Sequence, residues 1–497
     1  MKKKLIADAL DHVHGKYIIE AASYKKRRVL PWISAAAAVL ALIIGLQFLQ
    51  VPIAIQAEAV ALAEVPRIES QPQMDDYQDS DTWRAEHDQW ILQRQLLDLT
   101  AREATEKIAS FVYESFSAFL GNAEENLLYS PVNAYLALAM TAELTGGETR
   151  QQILDVLGAE DLEVLQKHAS SLWENVYVST GREVSYVQHT QNGTSGHSGY
   201  AVVYVKENHE VSTLANSLWL DESLDYNHRP MDALARYYYA SVYRQDLSDS
   251  QAVKDIQTWL SQNTGNLLED AASNIQLPDE ALMVLYSTLY FRSQWQDTFQ
   301  SDNNTKDIFH GASGDTVVTF MNKQYYPTYY YFAKDFGAVV LELKNGSKMW
   351  FFLPDVGKTV NDILDDRQYL DMLTAENGQW GSKKYMLVNL SVPKFDISAT
   401  VDLRQSLEGM GITHLFDPAT ADFSPSLNTP AYIAAANQSI RVAVDETGVT
   451  AASYIELPVP GEPALPQELI DFILDRPFLF VITKNQIPLF AGVINQP

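Results

Sequence analysis

The chain of 497 residues contains no cysteine, and it carries a formal net charge of −27. Without cysteine there are no disulfide bonds, no thiolate catalysis and no zinc site with cysteine ligands. Nucleic-acid-binding proteins present a basic face to the phosphates, so the acidic balance argues against nucleic acid as a partner. It also argues against a broad attraction to anionic lipid. The hydrophobic share of 46% supports a substantial core.

Motifs for catalysis are also missing. The ten histidines form no H-E-x-x-H pair, and the chain has no G-x-G-x-x-G loop for phosphates. The segment Gly196-His-Ser-Gly199 is one residue short of a nucleophile elbow, because Tyr200 stands where the last glycine belongs. The spacing of His189, His197 and His209 is not specific for a metal. We therefore predict a protein that is not an enzyme and that has no metal and no cofactor.

The N-terminus contains a long uncharged stretch. Residues 29–57 have no charged side chain, and their most apolar part is long enough to span a bilayer. Lys25 to Arg28 are all basic and directly precede the stretch, whereas Glu58 follows it. By the positive-inside rule, residues 1–28 form a short basic cytoplasmic tail, residues 29–56 form a transmembrane anchor, and the remainder lies outside the cytoplasm. This start is typical of a single-pass bacterial cell-membrane protein.

Two other interpretations of this stretch stay open. Small residues near Ile55 to Ala57 are compatible with a cleaved signal peptide, and an apolar stretch also suits a buried core helix. After it, residues 57–100 are polar and acidic, so we expect a flexible stalk there. The folded domain then covers residues 101–497.

Residues 179–208 are irregular and rich in turn-forming side chains. They predict a long excursion or a hairpin. Its role is either that of a docking loop or that of a tolerated surface insertion.

A segment near the C-terminus has the side-chain alternation of a strand but is followed by the dense prolines of a loop. Successive strand side chains point to opposite faces, and every second residue from Val449 is small or apolar; the set is Val449, Ala451, Ser453, Ile455, Leu457 and Val459. Yet prolines follow at positions 458, 460, 463 and 466, which favours an exposed loop. The pattern indicates either a loop that is able to become a strand or an ordinary edge strand before a proline-rich turn.

Several motifs in a fixed order resemble the serpin family over about residues 100–497. They are Asn126-Leu-Leu-Tyr-Ser-Pro-Val132, Gly147 to Leu154, Asn216 to Leu220, Ile256 to Asn266, Leu289-Tyr-Phe-Arg-Ser-Gln-Trp295, Val392-Pro-Lys-Phe395, Gly411 to Phe416, Arg476 to Ile482 and Pro488 to Asn495.

The resemblance implies an α+β fold with three β-sheets, about nine helices and an exposed reactive-centre loop. It implies a monomeric suicide-substrate inhibitor, whose partner is a serine protease held in a covalent complex. In this mechanism the cleaved loop inserts into the large sheet as a new strand. We expect Glu446 to anchor the preceding strand and Gly448 to be the hinge, because glycine is conformationally permissive. The reactive-loop hinge implied is Glu446, Gly448, Val449, Thr450, Ala451, Ala452 and Ser453.

The region that opens the sheet departs from the family pattern. It corresponds here to Ser130, Asn133, Ser287 and Gln438. The family often has Asn and His where Ser287 and Gln438 stand. Since Ser and Gln side chains are able to hydrogen bond to each other, we expect the two to keep one bond.

The reactive bond is expected around Gly461, Glu462 and Pro463, from the usual distance to the hinge. No Lys or Arg lies between Glu446 and Asp475, which disfavours trypsin-like proteases and favours elastase-like, subtilisin-like or Glu-specific ones. The dense prolines favour an alternative, a serpin-fold binding module that does not inhibit. A third possibility is a surface protein that senses proteases.

Overall fold

The described residues of the chain contain two β-sheets. The computed structural model describes residues 55–63, 72, 74, 79–190, 199–264, 275, 277, 281–374, 381–433, 436–449 and 468–497. Within these ranges the strands are β1 (Glu58–Ala61), β2 (Leu127–Tyr129), β3 (Val178–Thr190), β4 (Gly199–Asp221), β5 (Ala240–Gln245), β6 (Met283–Gln294), β7 (Thr305–Gly311), β8 (Gly314–Phe332), β9 (Phe336–Glu342), β10 (Lys348–Pro354), β11 (Lys383–Pro393), β12 (Phe395–Asp402), β13 (Asn437–Val444), β14 (Gly448–Val449), β15 (Leu469–Ile473), β16 (Phe478–Lys484) and β17 (Ile487–Ile494).

The helices of the described ranges surround these sheets. They are α1 (Ser80–Leu120), α2 (Pro131–Leu144), α3 (Gly147–Leu157), α4 (Leu162–Val176), α5 (His228–Tyr237), α6 (Ser250–Asn263), α7 (Val360–Leu364), α8 (Gln368–Thr374) and α9 (Arg404–Gly409), with short 3₁₀ turns at Ser301–Asn303 and His414–Phe416.

The strands form an eight-stranded and a nine-stranded sheet. The first runs β1-β5-β4-β6-β14-β13-β12, with β3 paired to β4. The second runs β15-β11-β8-β9-β10-β16-β17-β2, with β7 paired to β8. We expected three sheets, but over the described residues there are two. The reason is that β8 is continuous and pairs with β7 and β11 along its length and with β9 at its end.

Helix α2 lies in the core, and its N-terminus matters for the site. Pro131 takes the first helical position, where a missing N–H costs nothing. Ser130 caps the helix, because its Oγ accepts a hydrogen bond from the Asn133 N–H at 3.4 Å. Nearly the whole helix is buried, including the polar Asn133 and Thr141.

The N-terminal part of the described chain differs from the flexible stalk that we expected over residues 57–100. Strand β1 pairs with β5 at the edge of the eight-stranded sheet. The carboxylate of the buried Asp255 accepts hydrogen bonds from the backbone N–H groups of Gln56 and Ala57, at 3.0 and 3.1 Å. Apart from Glu58 the strand is apolar, and Val60 and Ala61 pack against the core, so both strand pairing and burial of apolar side chains hold this segment.

Helix α1 begins within the same expected stalk. Asp79 caps it by accepting from the N–H groups of Asp81 and Thr82. Residues Gln56–Pro497 form one compact unit. The boundary placed at residue 100 stays a prediction.

The predicted membrane anchor and the predicted hairpin both include residues that the structure does not describe. No helix within the described residues is both long and apolar enough to cross a membrane, and the anchor predicted for residues 29–56 lies almost wholly outside them. The hairpin expected within residues 179–208 is present as the antiparallel pair β3 and β4, although residues 191–198 are not described.

We predict that Asp255→Ala destabilises the fold, whereas Asp232→Ala on the exposed face of α5 does not. Loss of the carboxylate leaves two partly buried backbone donors without their acceptor, at a cost of about 1–3 kcal/mol. Urea denaturation of the two variants and the parent chain measures this. Equal midpoints for the two variants would contradict the assigned role of Asp255.

Candidate functional site

The hinge lies between two strands of the eight-stranded sheet. The short strand β14 pairs with β6 on one side, where Gly448 and Val449 face Gln294 and Ser293. On the other side Val449 pairs with Val444 of β13. The side chain of Val449 is only 2% exposed. The start of the expected reactive loop is therefore already a strand within the sheet.

A tight turn brings the chain from β13 into β14. The carboxylate of Asp445 accepts hydrogen bonds from the N–H groups of Thr447 and Gly448, at 2.8 and 3.2 Å. Trp295, directly after β6, holds the turn from outside. Its indole N–H donates to the carbonyl of Asp445 at 2.8 Å, and its backbone N–H donates to the carbonyl of Thr447 at 2.9 Å.

Glu446 makes side-chain and backbone contacts that hold the same turn. Its carboxylate pairs with the Nζ of Lys394 at 2.8 Å and also accepts from the side-chain amide of Asn304. Its carbonyl accepts from the backbone N–H of Phe299 at 2.9 Å. Burial raises the pKa of Glu446, but the hydrogen bonds from Lys394 and Asn304 outweigh it, so the pKa lies below the ordinary value of 4.5.

Gly448 is needed for a reason other than the one we expected. A Cβ at this position would lie 2.3 Å from the carbonyl oxygen of Ser293 and 2.6 Å from the Cα of Gln294. Only glycine allows the backbone of β14 to approach β6 so closely. The constraint is therefore the space between the strands rather than a backbone angle.

A pocket continues from β14 between β6 and β13. No pairing joins β6 directly to β13 over their described residues, since β14 is the link between them. The walls of the pocket are mostly apolar and include Leu289, Phe291, Ile440, Val442 and Phe490. Because β14 is antiparallel to β6, the C-terminal end of β14 at Val449 faces this pocket.

The sheet-opening residues connect each of these strands to helix α2. The side chain of Gln438 on β13 makes two hydrogen bonds to the backbone of Ser130, accepting from its N–H at 2.8 Å and donating to its carbonyl at 3.0 Å. The Oγ of Ser287 on β6 donates to Asn133 Oδ1 at 3.1 Å, and Asn133 Nδ2 donates to the Ser287 carbonyl at 3.3 Å. Ser130 Oγ donates to the carbonyl of Leu489 at 2.6 Å.

Our expectation that Ser287 and Gln438 bond to each other is therefore wrong. Each side chain reaches the N-terminal turn of α2 instead, because that turn offers backbone and amide groups beneath both strands. Parting β6 from β13 breaks no side-chain bond between these two residues. The four predicted residues do form one hydrogen-bonded group, as a set of tethers to the helix.

The remaining predicted site residues lie outside the described residues. They are Thr450, Ala451, Ala452, Ser453, Gly461, Glu462 and Pro463. The chain is described again from Glu468, where β15 pairs in parallel with β11 of the other sheet. The segment from 450 to 467 is thus attached at its two ends to different sheets.

Sequence reasoning did not identify Lys394, Asn304 and Trp295 as supports of the hinge. Lys394 and Trp295 belong to motifs that carried the family resemblance, so those motifs held a signal. Nothing in the local pattern around Asn304 connects it with Glu446, which is far away in sequence.

Comparison with known proteins agrees with this geometry. A family profile described as "Serpin (serine protease inhibitor)" matches residues 106–497. The chain belongs to the serpin family. The expectation that it is not an enzyme is confirmed by this membership, because the family is described by inhibition of serine proteases and not by a catalytic activity.

Known serpins resemble the chain over most of their length. Plasminogen activator inhibitor 1 of Bos taurus is 27% identical over 385 residues, which cover 75% of this chain and 87% of that protein. The native state of the thermophilic serpin tengpin has a TM-score of 0.65 at 25% identity, covering 79% of this chain and 93% of tengpin. Thyroxine-binding globulin in complex with thyroxine has a TM-score of 0.61 at 20% identity, covering 79% of this chain and 99% of that one; this match shows the fold alone.

We predict that Gly448→Ala displaces β14 from the sheet, whereas Gly409→Ala does not. The new Cβ overlaps backbone atoms of β6, and such overpacking costs about 1–3 kcal/mol. At Gly409 an added Cβ meets nothing within 4 Å. Hydrogen exchange is the measurement, and we expect faster exchange at the amides of Trp295, which donates to the Thr447 carbonyl, and of Val449 in the first variant only. Unchanged exchange there would contradict the close-approach argument.

We predict that the hinge turn loosens as the pH falls below 4.5. The pKa of Glu446 is lower in the folded chain, so its stabilising contribution is complete above the unfolded value of 4.5 and is lost as the pH falls through the folded value. Protection factors of the Phe299 amide, which donates to the carbonyl of Glu446, measured against pH, test this. In Glu446→Gln we expect lower protection at pH 7 and little further change on acidification. A parallel decrease in both proteins would contradict the role of the carboxylate.

Proposed function

We propose that this serpin is a suicide-substrate inhibitor of serine proteases. The observation that supports this best is β14, a strand of two residues that occupies the position between β6 and β13 and points along the apolar pocket. A chain that only needed an exposed loop would gain nothing from starting that loop inside a sheet.

The proposed reaction begins when the serine Oγ of the protease attacks a carbonyl within residues 450–467. The peptide C–N bond breaks, and the serine hydroxyl proton goes to the leaving nitrogen. That nitrogen becomes the new amino terminus of the C-terminal part, which continues to Glu468. The N-terminal part of the loop stays joined to the protease as an ester. Water would hydrolyse this ester and complete an ordinary cleavage. Inhibition requires that the loop insert, carrying the protease with it, before that happens.

Insertion is favourable because it buries apolar side chains of the loop and adds hydrogen bonds to the sheet. The alternating side chains after Val449 are small or apolar, namely Ala451, Ser453, Ile455 and Leu457, and the pocket offers them an apolar lining. At about 25 cal/mol per Å² of buried apolar area, this face supplies several kcal/mol. Each ladder hydrogen bond adds roughly 1 kcal/mol. The prolines at 458 and 460 lack a donor, so the gain is smaller near the end of the new strand.

The intact chain is then a kinetically trapped state. Its loop is held at one end by the turn of Glu446 and at the other by β15, in different sheets. Cleavage between the two ends removes the second restraint, and extension of β14 along β6 follows.

For the target we propose an elastase-like, subtilisin-like or Glu-specific protease, with the reactive bond near Gly461, Glu462 or Pro463. No Lys or Arg lies between Glu446 and Asp475 to direct a trypsin-like enzyme. We further propose that residues 29–56 anchor the chain in a membrane, with the serpin domain outside the cytoplasm. The uncharged stretch behind a basic cluster supports this.

A second candidate function is a binding module that does not inhibit. The four prolines after Ile455 favour it, because they weaken the inserted strand. The fold also occurs in thyroxine-binding globulin, whose complex holds thyroxine.

We predict that the full-length chain forms a covalent complex with at least one protease of a panel that contains elastase-like, subtilisin-like and Glu-specific enzymes. Denaturing gels with mass spectrometry reveal the complex and the released C-terminal peptide. Ala451→Arg is the matched variant, since a charge that enters the pocket opposes insertion; we expect it to be cleaved without forming a complex. Cleavage of the parent chain without any complex would contradict inhibition and support the binding module.

A further inference from the structure

The sheet that carries β15 has an unusual outward face. In the register of β15, β11 and β8, Leu469 faces Leu387, and Tyr385 faces Tyr329. The opposite face is core, with Val388, Leu390 and Phe472 buried. Large apolar side chains on the outward face are nevertheless exposed: Tyr329 by 44%, Tyr385 by 40%, Leu469 by 47% and Ile473 by 40%.

Tyr325, which is 60% exposed, completes what we call the aromatic patch: Tyr325, Tyr329, Tyr385, Leu469 and Ile473. These five are among thirteen exposed large apolar side chains of the described residues, so the patch gathers more than a third of them. On this face Asp471 lies between Leu469 and Ile473, so the apolar part is centred on the adjacent rings of Tyr329 and Tyr385. A solvated sheet face is normally polar, and exposed adjacent rings indicate an interaction surface.

The centre of the patch is preorganised. The rings of Tyr329 and Tyr385 lie 5.2 Å apart between centroids. The Nζ of Lys383 lies 4.6 Å from the centroid of Tyr329 and 5.7 Å from that of Tyr331. Rings held in this way lose little conformational freedom when a partner binds them.

The edge of the patch is shaped by a β-bulge. The register between β11 and β8 shifts between Val388 and Leu390, and Tyr325 has a φ of 53°, which is rare for a side chain of this size. Asn389 supports this backbone, since its Oδ1 accepts from the Tyr325 N–H at 3.2 Å. Its Nδ2 donates to Asp471 Oδ1 at 2.7 Å, so one side chain ties β8 to β15. Such bulges often redirect a side chain next to a functional site.

The position of the patch indicates its partner. Leu469 comes two residues after position 467, where the segment that joins β14 to β15 ends. A protease that holds a bond of that segment in its active site must rest its body on neighbouring surface, and the patch is surface at the loop's C-terminal attachment. Tyrosine-rich flat faces are typical of protein partners rather than of small ligands.

We propose that the aromatic patch is an exosite that binds the body of the target protease before the loop is cut. This rests on the inhibitory function proposed above. After cleavage the protease leaves with the N-terminal part of the loop, while β15 and the patch stay behind. The patch therefore acts in the encounter complex alone. It raises the rate of association, and it contributes nothing to insertion or to the lifetime of the final complex.

The test uses the full-length chain and the protease of the panel above that reacts with it fastest. We expect the double variant Tyr329→Ser/Tyr385→Ser to lower the second-order rate constant of inhibition by about tenfold, the effect of a single hot-spot residue. The number of chains consumed per protease and the lifetime of the covalent complex stay unchanged. Val317→Ser is the matched control, because Val317 is 67% exposed on the same strand β8 outside the patch.

A second double variant tests whether the aromatic rings, rather than the tyrosine hydroxyl groups or the stability of the fold, carry the effect. Tyr329→Phe/Tyr385→Phe keeps the rings, and we expect it to retain most of the parent rate. An equal rate for the serine double variant and the Val317→Ser control would overturn the exosite. So would a change in the number of chains consumed per protease, since that reports on insertion.

The exosite remains testable if the inhibitory function fails. A chain that is cleaved without trapping the protease contradicts inhibition, but its kcat/KM for cleavage still depends on the encounter. In that case a tenfold lower kcat/KM in the serine double variant supports the exosite, and an unchanged kcat/KM overturns it.

Discussion

The pairing of β14 with both β6 and β13 is the contact on which the behaviour of this serpin depends. Two residues join two halves of the eight-stranded sheet, and no direct pairing joins β6 to β13 in their described residues. Gly448 lets the strand approach Ser293, and Val449 fills the buried side. In the proposed mechanism this strand is the first step of the insertion, with an apolar pocket ahead of it.

The surrounding contacts form two groups. One group holds the turn that leads from β13 into β14, which we call the entrance, and the other holds the strands β6 and β13. The entrance is held by Glu446 with Lys394 and by Trp295 with the turn. The strands are held through Ser287 and Gln438, each bonded to the N-terminal turn of α2. Neither strand tether crosses the gap, so the insertion proposed above leaves both halves attached to the helix.

The serpin fold could be predicted from the sequence, because the motifs keep their order. The hinge stays a prediction, which rests on the one apolar set of the alternation after Val449. The partner of Gln438 could not be predicted. It is the backbone of Ser130, which is 308 positions away, and no local pattern records such a contact. Strand β1 was missed for a related reason: its partners β5 and Asp255 lie far away in sequence, and its short apolar run directly follows the stretch assigned to the anchor. We expected three sheets and the described residues form two, because pairing along β8 is continuous. A sequence pattern does not show where pairing stops.

The most direct measurement is hydrogen exchange of β6 and β13 before and after the loop is cut by a protease. We predict that amides of residues 285–292 and 438–443 gain protection on cleavage, because the new strand supplies partners on the sides that face the pocket. Protection should spread from Ser293 toward Ser287, in the direction in which β14 points. Unchanged exchange in both strands after complete cleavage would contradict the account, since it would mean that the loop does not enter the sheet.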